Sequence, residues 1–571
     1  MRSSLRVVFI LFVSSLVWAQ VPFDPFYVRP PLNAASYAPR GWPNSGIAQG
    51  SRFVFTGSGL GPFPPLAASG FPLRTDLGGA WIRVTVGGES VDALMLSTSY
   101  YQVVGLLPST TPVGVGTVTL TYQGKSSASL PMQVVKSSFG IATRNGAGTG
   151  PGVLRNLGSG DIRVPNTLLE SARPNQLVQL EGTGLGPANG DEAAGPIPGD
   201  LDVDVQVMVG NRQARLVSKD RSDCCAGIDY IVFEVPPGVE GCYVPVAVRA
   251  GGVLSNFATM AIAPDGGACP DLQGLSVKEI EKLRNGEPLN LGHIELMRLG
   301  LKIAVPGFSA EVVMDAGFGW FASLSVADLN RTVQTGSFFR AGAPSPGTCL
   351  VLPANSNEDM PLPVYKDFTA PDNPTRLKFL YAGESLNLTG PSGSRKLRRV
   401  TGQYWEFLGG FNPDEGVSPP YLEPGAYTLG NGSGGEDIGA FEATLKVPSP
   451  MVWTNEQSVQ TIPRDQDLTI TWSSPDADRE LVTIAGISID GDVTPTAFLC
   501  TERASAGRFT VPSWVLSAMM RSQFDSDLGI PLGVLFVMNS LLDSESSFRA
   551  PGMDAGRLQY LQGQMRYIEY R

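Results

Sequence analysis

The sequence GSGLGP at residues 57–62 returns as GTGLGP at residues 182–187, 125 positions later. The stretches around it return in the same order, with 84–87 matching 207–210 and 103–108 matching 231–236. A period this long indicates a repeated domain, because the units of solenoids are only about 20–45 residues long. We therefore predict two copies of one domain, at residues 33–138 and 150–263.

Each copy has the pattern of β-strands. Valines occupy every second position from Val203 to Val209, and mostly polar residues stand between them. The same alternation recurs at Val244, Val246 and Val248. Because successive side chains of a strand point to opposite faces, this pattern predicts strands with one buried face. Short strands bounded by Gly and Pro are typical of a β-sandwich of about 100 residues. We predict an all-β chain of tandem immunoglobulin-like β-sandwich domains with a short helical connector.

Four motifs carry a family resemblance. NAASY at residues 33–37, the element at 57–62, PLRTDLGG at 72–79 and GGVLSN at 251–256 resemble the paired IPT/TIG-type immunoglobulin-like modules of secreted bacterial proteins. The resemblance covers about residues 33–263, less than half of the chain. It implies an immunoglobulin-like fold and an extracellular setting, and it implies no known reaction.

The full length of 571 residues is too great for a single core and predicts three to five domains. The capping-box pattern of Ser276 and Glu279 predicts a short helix at 277–284. Our predicted divisions are, in chain order, a signal peptide at 1–19, an N-terminal linker at 20–32, the two sandwiches, a mixed connector at 264–345 and two further β-rich domains at 346–448 and 451–571.

The charge and the N-terminus indicate where the protein acts. A net charge of −11, with one compact basic run at 395–399, argues against nucleic-acid binding, which needs clustered Lys and Arg. We interpret that run as a solvated strand or loop. Arg2 and Arg6, an apolar stretch at 7–17 and the small Ala19 have the form of a secretory signal peptide. We expect cleavage after Ala19, a secreted or extracellular protein, and no membrane span after signal removal.

Six cysteines in an exported chain are more readily paired than free, because that compartment is oxidising. Cys349 and Cys500 are expected to form one bridge. If the adjacent Cys224 and Cys225 do not join each other, two arrangements with Cys242 and Cys269 remain open. We expect no zinc site, because the chain has no Cys-x-x-Cys spacing and only one histidine.

We find no pattern of catalytic residues. Ser-His-Asp and Cys-His machinery would have to use His293, which we place in the connector. The glycine runs at 57–62 and 430–435 are interpreted as turns, because no helix that could hold a phosphate follows them. We therefore predict no catalytic residues, no cofactor and no metal. The acidic turns at 490–492 and 525–527 leave calcium open.

Exposed aromatic residues are the remaining recognition candidates. Trp81 and the pairs at 100–101 and 404–405 could stack on sugars, while Trp405, Trp453 and Trp472 could equally be core residues. Our leading hypothesis is a secreted, non-catalytic binding or scaffold protein that contacts a polysaccharide, a cell-envelope component or a cell-surface protein. The alternative is a secreted carbohydrate-active enzyme with its catalytic site in 346–571.

The signal peptide makes a direct prediction. Export in a bacterial host should yield a chain that begins at Gln20, because the leader is removed after Ala19. The mass of the intact exported protein measures this. An Ala19→Arg variant, with a bulky charge where a small residue is needed, should keep its leader. Exported wild-type protein that retains residues 1–19 would contradict the prediction.

Overall fold

The computed structural model describes residues 26–160, 162–269, 275–305, 308–324, 343–354, 378–412, 416–491, 493–526, 529–542 and 547–571. The predicted signal peptide lies outside the described residues. Strands account for 53% of the chain and helices for 4%, which confirms the all-β class.

The first copy is a sandwich of two sheets. One sheet contains, in order, Tyr27–Val28, Arg52–Ser58, Gln102–Leu106, Leu94–Thr98 and Leu66–Ala67, with Leu32–Asn33 beside Arg52–Ser58. The other contains Ile47–Ala48, Leu130–Val135, Gly114–Tyr122, Ala80–Val86 and Asp76–Leu77, with Lys125–Ser126 and Glu89–Asp92 at its margins. Phe53, Ile82, Val103, Leu120 and Val134 pack in the core between the sheets. Tyr27–Val28 lies within 20–32 and Leu32–Asn33 crosses its end, so part of the predicted linker belongs to the sandwich.

The second copy repeats this architecture. Its strands follow the order Arg163–Pro165, Leu154–Leu157, Leu177–Thr183, Asp229–Glu234, Arg212–Arg221, Val205–Val209, Gly241–Ala250 and Val253–Leu254. Gly140–Ile141, Gly199–Asp200 and Ala258–Ile262 pair beside Leu177–Thr183, Arg212–Arg221 and Gly241–Ala250. The core contains Leu180, Val207, Phe233, Val246 and Met260. As the alternating valines predict, Val205–Val209 is buried at every second residue.

The pairing order is the same in both copies. Arg52–Ser58 pairs with Gln102–Leu106 in the first copy, as Leu177–Thr183, 125 positions later, pairs with Asp229–Glu234 in the second. Both copies pass from one sheet to the other at one irregular point. In the first copy this is a break at Ala93, and in the second it is a bulge between Leu216 and Ser218. The structure therefore confirms the repeat that the sequence predicts.

The second half of the chain is also β-rich. The predicted helix is present at Val277–Arg284, and the Glu279 carboxylate accepts hydrogen bonds from the backbone N–H and the hydroxyl of Ser276, each at 2.7 Å. A long hairpin of Leu289–Val305 and Phe308–Leu324 follows. The other helices among the described residues are Ser513–Leu516 and the 3-10 turns Glu456–Ser458, Ala477–Arg479 and Ala504–Ala506.

One sheet runs through this half. Its order is Thr348–Pro353, Thr496–Arg503, Glu480–Ser488, Gly533–Leu541, Ala555–Tyr570, Leu289–Val305, Phe308–Leu324, Gln403–Asn412, Gly393–Val400, Ser385–Gly390, Gly425–Gly430 and Glu442–Val447. Lys378–Phe379, Gly416–Val417, Thr461–Ile462 and Ser547–Phe548 pair at its margins, and Val452–Trp453, Leu468–Ser473 and Arg508–Val511 form a second sheet, with Phe524–Asp525 and Ile530–Pro531 as a separate pair.

The pairing crosses the predicted boundaries. Thr348–Pro353, on one side of residue 450, pairs with Thr496–Arg503 on the other. Leu289–Val305, in the predicted connector, pairs in parallel with Ala555–Tyr570. The connector hairpin is therefore the middle of a continuous sheet, which joins the two β-rich parts through backbone hydrogen bonds.

A buried ion cluster lies where the two copies meet. The Arg221 guanidinium donates to Asp229 at 2.5 Å and to the carbonyl of Gly186 at 2.7 Å, and its other arm lies 3.4 Å from Glu192. Asp229 also accepts hydrogen bonds from the backbone N–H groups of Gly184 and Leu185, each at 2.8 Å. All three charged side chains are buried.

Glu192 connects this cluster to the first copy. Its carboxylate accepts a hydrogen bond from the Ser109 N–H at 2.7 Å and another from the Ser109 hydroxyl at 2.8 Å. Burial raises the pKa of the Asp229 carboxyl, while Arg221 and the two N–H groups act in the opposite direction. A buried charge that loses its partner is strongly destabilising.

Removal of the Asp229 carboxylate should therefore weaken the contact between the two copies. We expect Asp229→Ala to destabilise the protein by about 3–5 kcal/mol, because Arg221 and two N–H groups lose their acceptor. Guanidinium chloride unfolding, followed by circular dichroism, would show an earlier first transition. The control is Asp76→Ala, which removes an exposed ion pair with Arg74 and should change stability by less than about 1 kcal/mol. If the two variants unfold at the same guanidinium chloride concentration, the buried ion cluster does not stabilise the contact between the two copies.

Candidate binding site

A cavity of about 190 Å³ lies where three parts of the chain meet. The first copy contributes residues 36–44, and the second contributes 147–149 and 249–257. The second half of the chain closes it with Val351, Pro353, Ser517 and Ala518. We call this space the junction cavity. Ligand sites commonly occupy the junctions of domains, which makes this cavity the leading candidate.

One feature orders the loop of the second copy, and another brings that loop against the loop of the first copy. The Asn256 side chain accepts from the Ile141 N–H at 2.7 Å and donates to the carbonyls of Ile141 and Gly148 at 2.9 and 2.7 Å. Gly148 has φ +72°, and a Cβ there would lie 1.8 Å from the Ser36 carbonyl oxygen. Only glycine permits this approach, so Gly148 and Asn256 together fix the first two walls.

Aromatic contacts fix the third wall. The Trp42 indole N–H donates to the Thr494 carbonyl at 2.9 Å, which ties the first copy to the second half of the chain. The Phe257 ring stacks on Trp514 with centroids 5.7 Å apart and planes 8° from parallel. Both contacts hold a cavity-lining ring in place, so the walls are preorganised.

The polar lining has unused hydrogen-bonding capacity. Asn44 is 7% exposed and Thr149 is 6% exposed, and both line the cavity. Within the described ranges, neither side chain makes a hydrogen bond to the protein. Arg249, partly buried, has no ion-pair partner among the described residues. Buried polar groups are normally satisfied, so these three are positioned to meet a ligand or water.

The lining offers hydrogen-bond donors and acceptors, and one cation. The lining contains Arg249 and Tyr37 as its titratable groups and includes no carboxylate, histidine or cysteine. In the part of the chain that the structure describes, no three His, Cys, Asp or Glu residues are grouped to hold a metal ion. The cavity can therefore donate hydrogen bonds and a positive charge.

The cysteines form three disulfides: Cys224–Cys225, Cys242–Cys269 and Cys349–Cys500. The working assumption that the adjacent Cys224 and Cys225 do not join each other is wrong. They bridge within the turn that follows Arg221, where the Ile228 N–H bonds to the Cys225 carbonyl at 3.1 Å. That leaves Cys242 to pair with Cys269. Cys349 and Cys500 are opposite residues of paired strands, which places their Cα atoms 4.1 Å apart.

His293 lies within the predicted connector, but on a long regular strand. It lies on Leu289–Val305, opposite Trp320 and Arg557 of the neighbouring strands. The side chain is buried, its ring centroid is 5.7 Å from that of Trp320, and Nε2 is 3.8 Å from the Glu295 carboxylate. It lines no part of the junction cavity.

The glycine runs are turns, as predicted. Gly59 has φ +70°, and a Cβ on Gly57 would lie 1.9 Å from the Tyr27 carbonyl oxygen. Gly432 and Gly434 likewise have positive φ. The basic run lies on the strand Gly393–Val400, which is largely exposed, as expected. Of the acidic turns considered for calcium, Asp492 and Asp527 lie outside the described residues.

Some of the aromatic candidates are buried in the cores and others are exposed. Trp453 and Trp472 are core residues, whereas Trp405 is 39% exposed and the core interpretation is wrong for it. Trp405 contacts Phe318 and Phe407 edge to face, so the three rings do not form a flat platform. Tyr404 is buried, Tyr101 is exposed, and Trp81 packs against the Arg83 guanidinium.

Sequence reasoning missed Asn44, Thr149 and Arg249. They come from two loops and the strand Gly241–Ala250 and share no motif, and only the tertiary fold brings them together. The GGVLSN stretch at 251–256 marked the neighbourhood of Arg249, but as a family feature and not as a site.

No protein-family model and no curated protein sequence matches the chain. Among solved structures, domains 5–6 of the S-layer protein SbsC align at 14% identity over 42% of this chain and 96% of that chain, with a TM-score of 0.15. Fibronectin(III)-like modules of Clostridium thermocellum CbhA align at 12% identity over 38% of this chain and 89% of that one, with a TM-score of 0.11.

A third similar structure is Bacteroides ovatus SGBP-B in complex with a mixed-linkage heptasaccharide. It aligns at 10% identity over 87% of this chain and 90% of that one, with a TM-score of 0.13. Scores this low carry no argument about this chain, so the immunoglobulin-like assignment rests on the strand pairing described above. Among the described residues, no helix has the length and apolar character needed to cross a bilayer.

The disulfide pattern is directly testable. Trypsin should release residues 222–249 linked to 250–278 through Cys242 and Cys269. Further cleavage after Tyr230 should free a fragment with Cys224 and Cys225 that is two hydrogen atoms lighter than its dithiol form. Non-reducing mass spectrometry gives both results, and a reduced, alkylated sample is the control. A link from Cys224 or Cys225 to Cys242 or Cys269 would overturn the assignment.

Proposed function

We propose that this chain is an exported, non-catalytic binding protein that holds a ligand at the junction of its immunoglobulin-like modules. The carrying observation is the junction cavity, whose rigid walls present Asn44, Thr149 and Arg249 without protein partners. The ligand belongs to a polysaccharide, the cell envelope or a cell-surface partner. Pre-formed, mostly apolar spaces with a few convergent polar groups are the usual form of binding sites.

Two features support the extracellular setting. The N-terminus has the pattern of a signal peptide, and the three disulfides fit an oxidising compartment. We further propose that residues 33–263 are a pair of IPT/TIG-type modules. The shared pairing order and the two glycine turns in matching positions support this proposal.

The enzyme alternative requires two carboxylates that face a cleft in the second half of the chain. Asp315 accepts two hydrogen bonds from Arg298 and the N–H groups of Tyr421 and Leu422. Glu480 is buried, which raises its pKa, and it accepts from the Ser474 hydroxyl. Neither lines the junction cavity, and both have structural partners, so these carboxylates favour the non-catalytic proposal.

The proposal predicts binding without turnover. The mature protein, applied to a glycan array and to cell-envelope fractions, should retain a ligand. The same ligand, incubated with the protein, should release no new reducing ends, acids or amines, because no nucleophile and base are paired at the cavity.

If turnover occurs, His293→Ala and Glu480→Gln separate the causes. Loss of activity in His293→Ala, with an unchanged circular dichroism spectrum, would show that His293 is catalytic and would contradict our interpretation of it as a structural residue of the sheet. Activity that survives in His293→Ala but is lost in Glu480→Gln would instead establish the carbohydrate-active enzyme.

A further inference from the structure

Arg249 is the one cation in the lining of the junction cavity. It lies on Gly241–Ala250, and its backbone neighbours are Gln206 on one strand and Leu254 on the other. The chain carries 53 acidic residues against 42 basic ones, yet none of the described carboxylates pairs with this guanidinium. A guanidinium presents several N–H donors in a planar fork that matches a carboxylate, so the group is free to bind an acid from outside.

The neutral polar groups define a second requirement. Asn44 and Thr149 offer a carboxamide and a hydroxyl, which can donate to and accept from hydroxyl groups. Both are more than nine-tenths buried, and leaving a buried polar group without a hydrogen-bond partner is destabilising. A ligand that carries hydroxyls as well as an acid would satisfy both side chains.

The shape and the apolar walls restrict the ligand further. About 190 Å³ corresponds to roughly six water molecules at ~30 Å³ each, which is about the size of one sugar ring. Trp42, Phe257 and Pro39 supply apolar faces against which the C–H groups of a sugar ring can pack. A simple inorganic anion would leave these faces without contact.

We propose that the junction cavity binds a single carboxylate-bearing sugar, a uronic acid unit, with Arg249 on the carboxylate and Asn44 and Thr149 on the ring hydroxyls. The inference rests on the proposed binding function and names its ligand class. The arrangement matches each chemical part of a uronate to a different part of the wall: acid to guanidinium, hydroxyls to amide and hydroxyl, and ring face to aromatic rings.

The test compares charged and neutral sugars on the mature protein. Titrations with glucuronate and galacturonate, followed by saturation-transfer NMR, should show binding at least tenfold tighter than glucose and galactose. Arg249→Ala should weaken uronate binding at least tenfold and leave the neutral sugars unchanged. Thr149→Val should weaken uronate binding several-fold. The matched control is Arg212→Ala, an exposed arginine of the same module, which should bind as wild type.

The outcomes separate the two proposals. Equal binding of uronates and neutral sugars, or an Arg249→Ala variant that binds as wild type, overturns the uronate assignment. A polymer retained on the array independently of Arg249 would leave the binding function standing and refute this site. Failure of both array and titration refutes both proposals. If Arg249→Ala does not fold by circular dichroism, Arg249→Gln, which keeps the length of the side chain, replaces it.

Discussion

The arrangement of the two sandwiches depends on the ion pairs that the Arg221 guanidinium forms with Asp229 and Glu192. It holds the buried Asp229, whose other oxygen accepts the N–H groups of the second glycine turn, and it reaches Glu192, which is bound to Ser109 of the first copy. Three groups that would each be costly to bury alone are buried together, because each satisfies the others. The joint therefore tolerates little rotation without exposing or orphaning a charge.

The junction cavity follows from this joint. With the two copies fixed, the loop at 36–44 is brought against Gly148, and Trp42 reaches the carbonyl of Thr494 in the second half of the chain. The continuous sheet then fixes the third wall, because Thr348–Pro353 pairs with Thr496–Arg503 and is bridged to it by Cys349 and Cys500. The cavity is a product of three relative placements, and no single module contains it.

This dependence explains what the sequence could predict. Alternating valines and repeated glycines depend on neighbours within one module, so the strands, the repeat and the turns were predictable. The strand at 289–305 was not, because Leu289 and Leu291 join one core while Ile294 and Leu296 join another. Its apolar residues therefore lie on both faces, and the period of two is lost. Asn44, Thr149 and Arg249 meet only through tertiary contacts, for which one sequence offers no pattern.

The two copies hold the same turn by different means. In the first copy the Leu60 N–H bonds to the backbone carbonyl of Tyr100 at 2.9 Å. In the second, the matching Leu185 N–H bonds to the Asp229 carboxylate. A buried carboxylate needs a cation, which is Arg221, at the start of the turn that contains Cys224 and Cys225.

That turn is an insert of the second copy, because 222–228 separates its two strands where the first copy has only 99–101. Its Ala226 packs in a cluster with Leu73 and Leu106 of the first copy, and its carbonyl accepts the Arg52 guanidinium at 2.7 Å. The insert therefore follows directly on Arg221 and supplies part of the surface that meets the other module. Together with the Glu192–Ser109 contact, this loop holds the two copies as a fixed pair, with the walls of a cavity set between them and the rest of the chain.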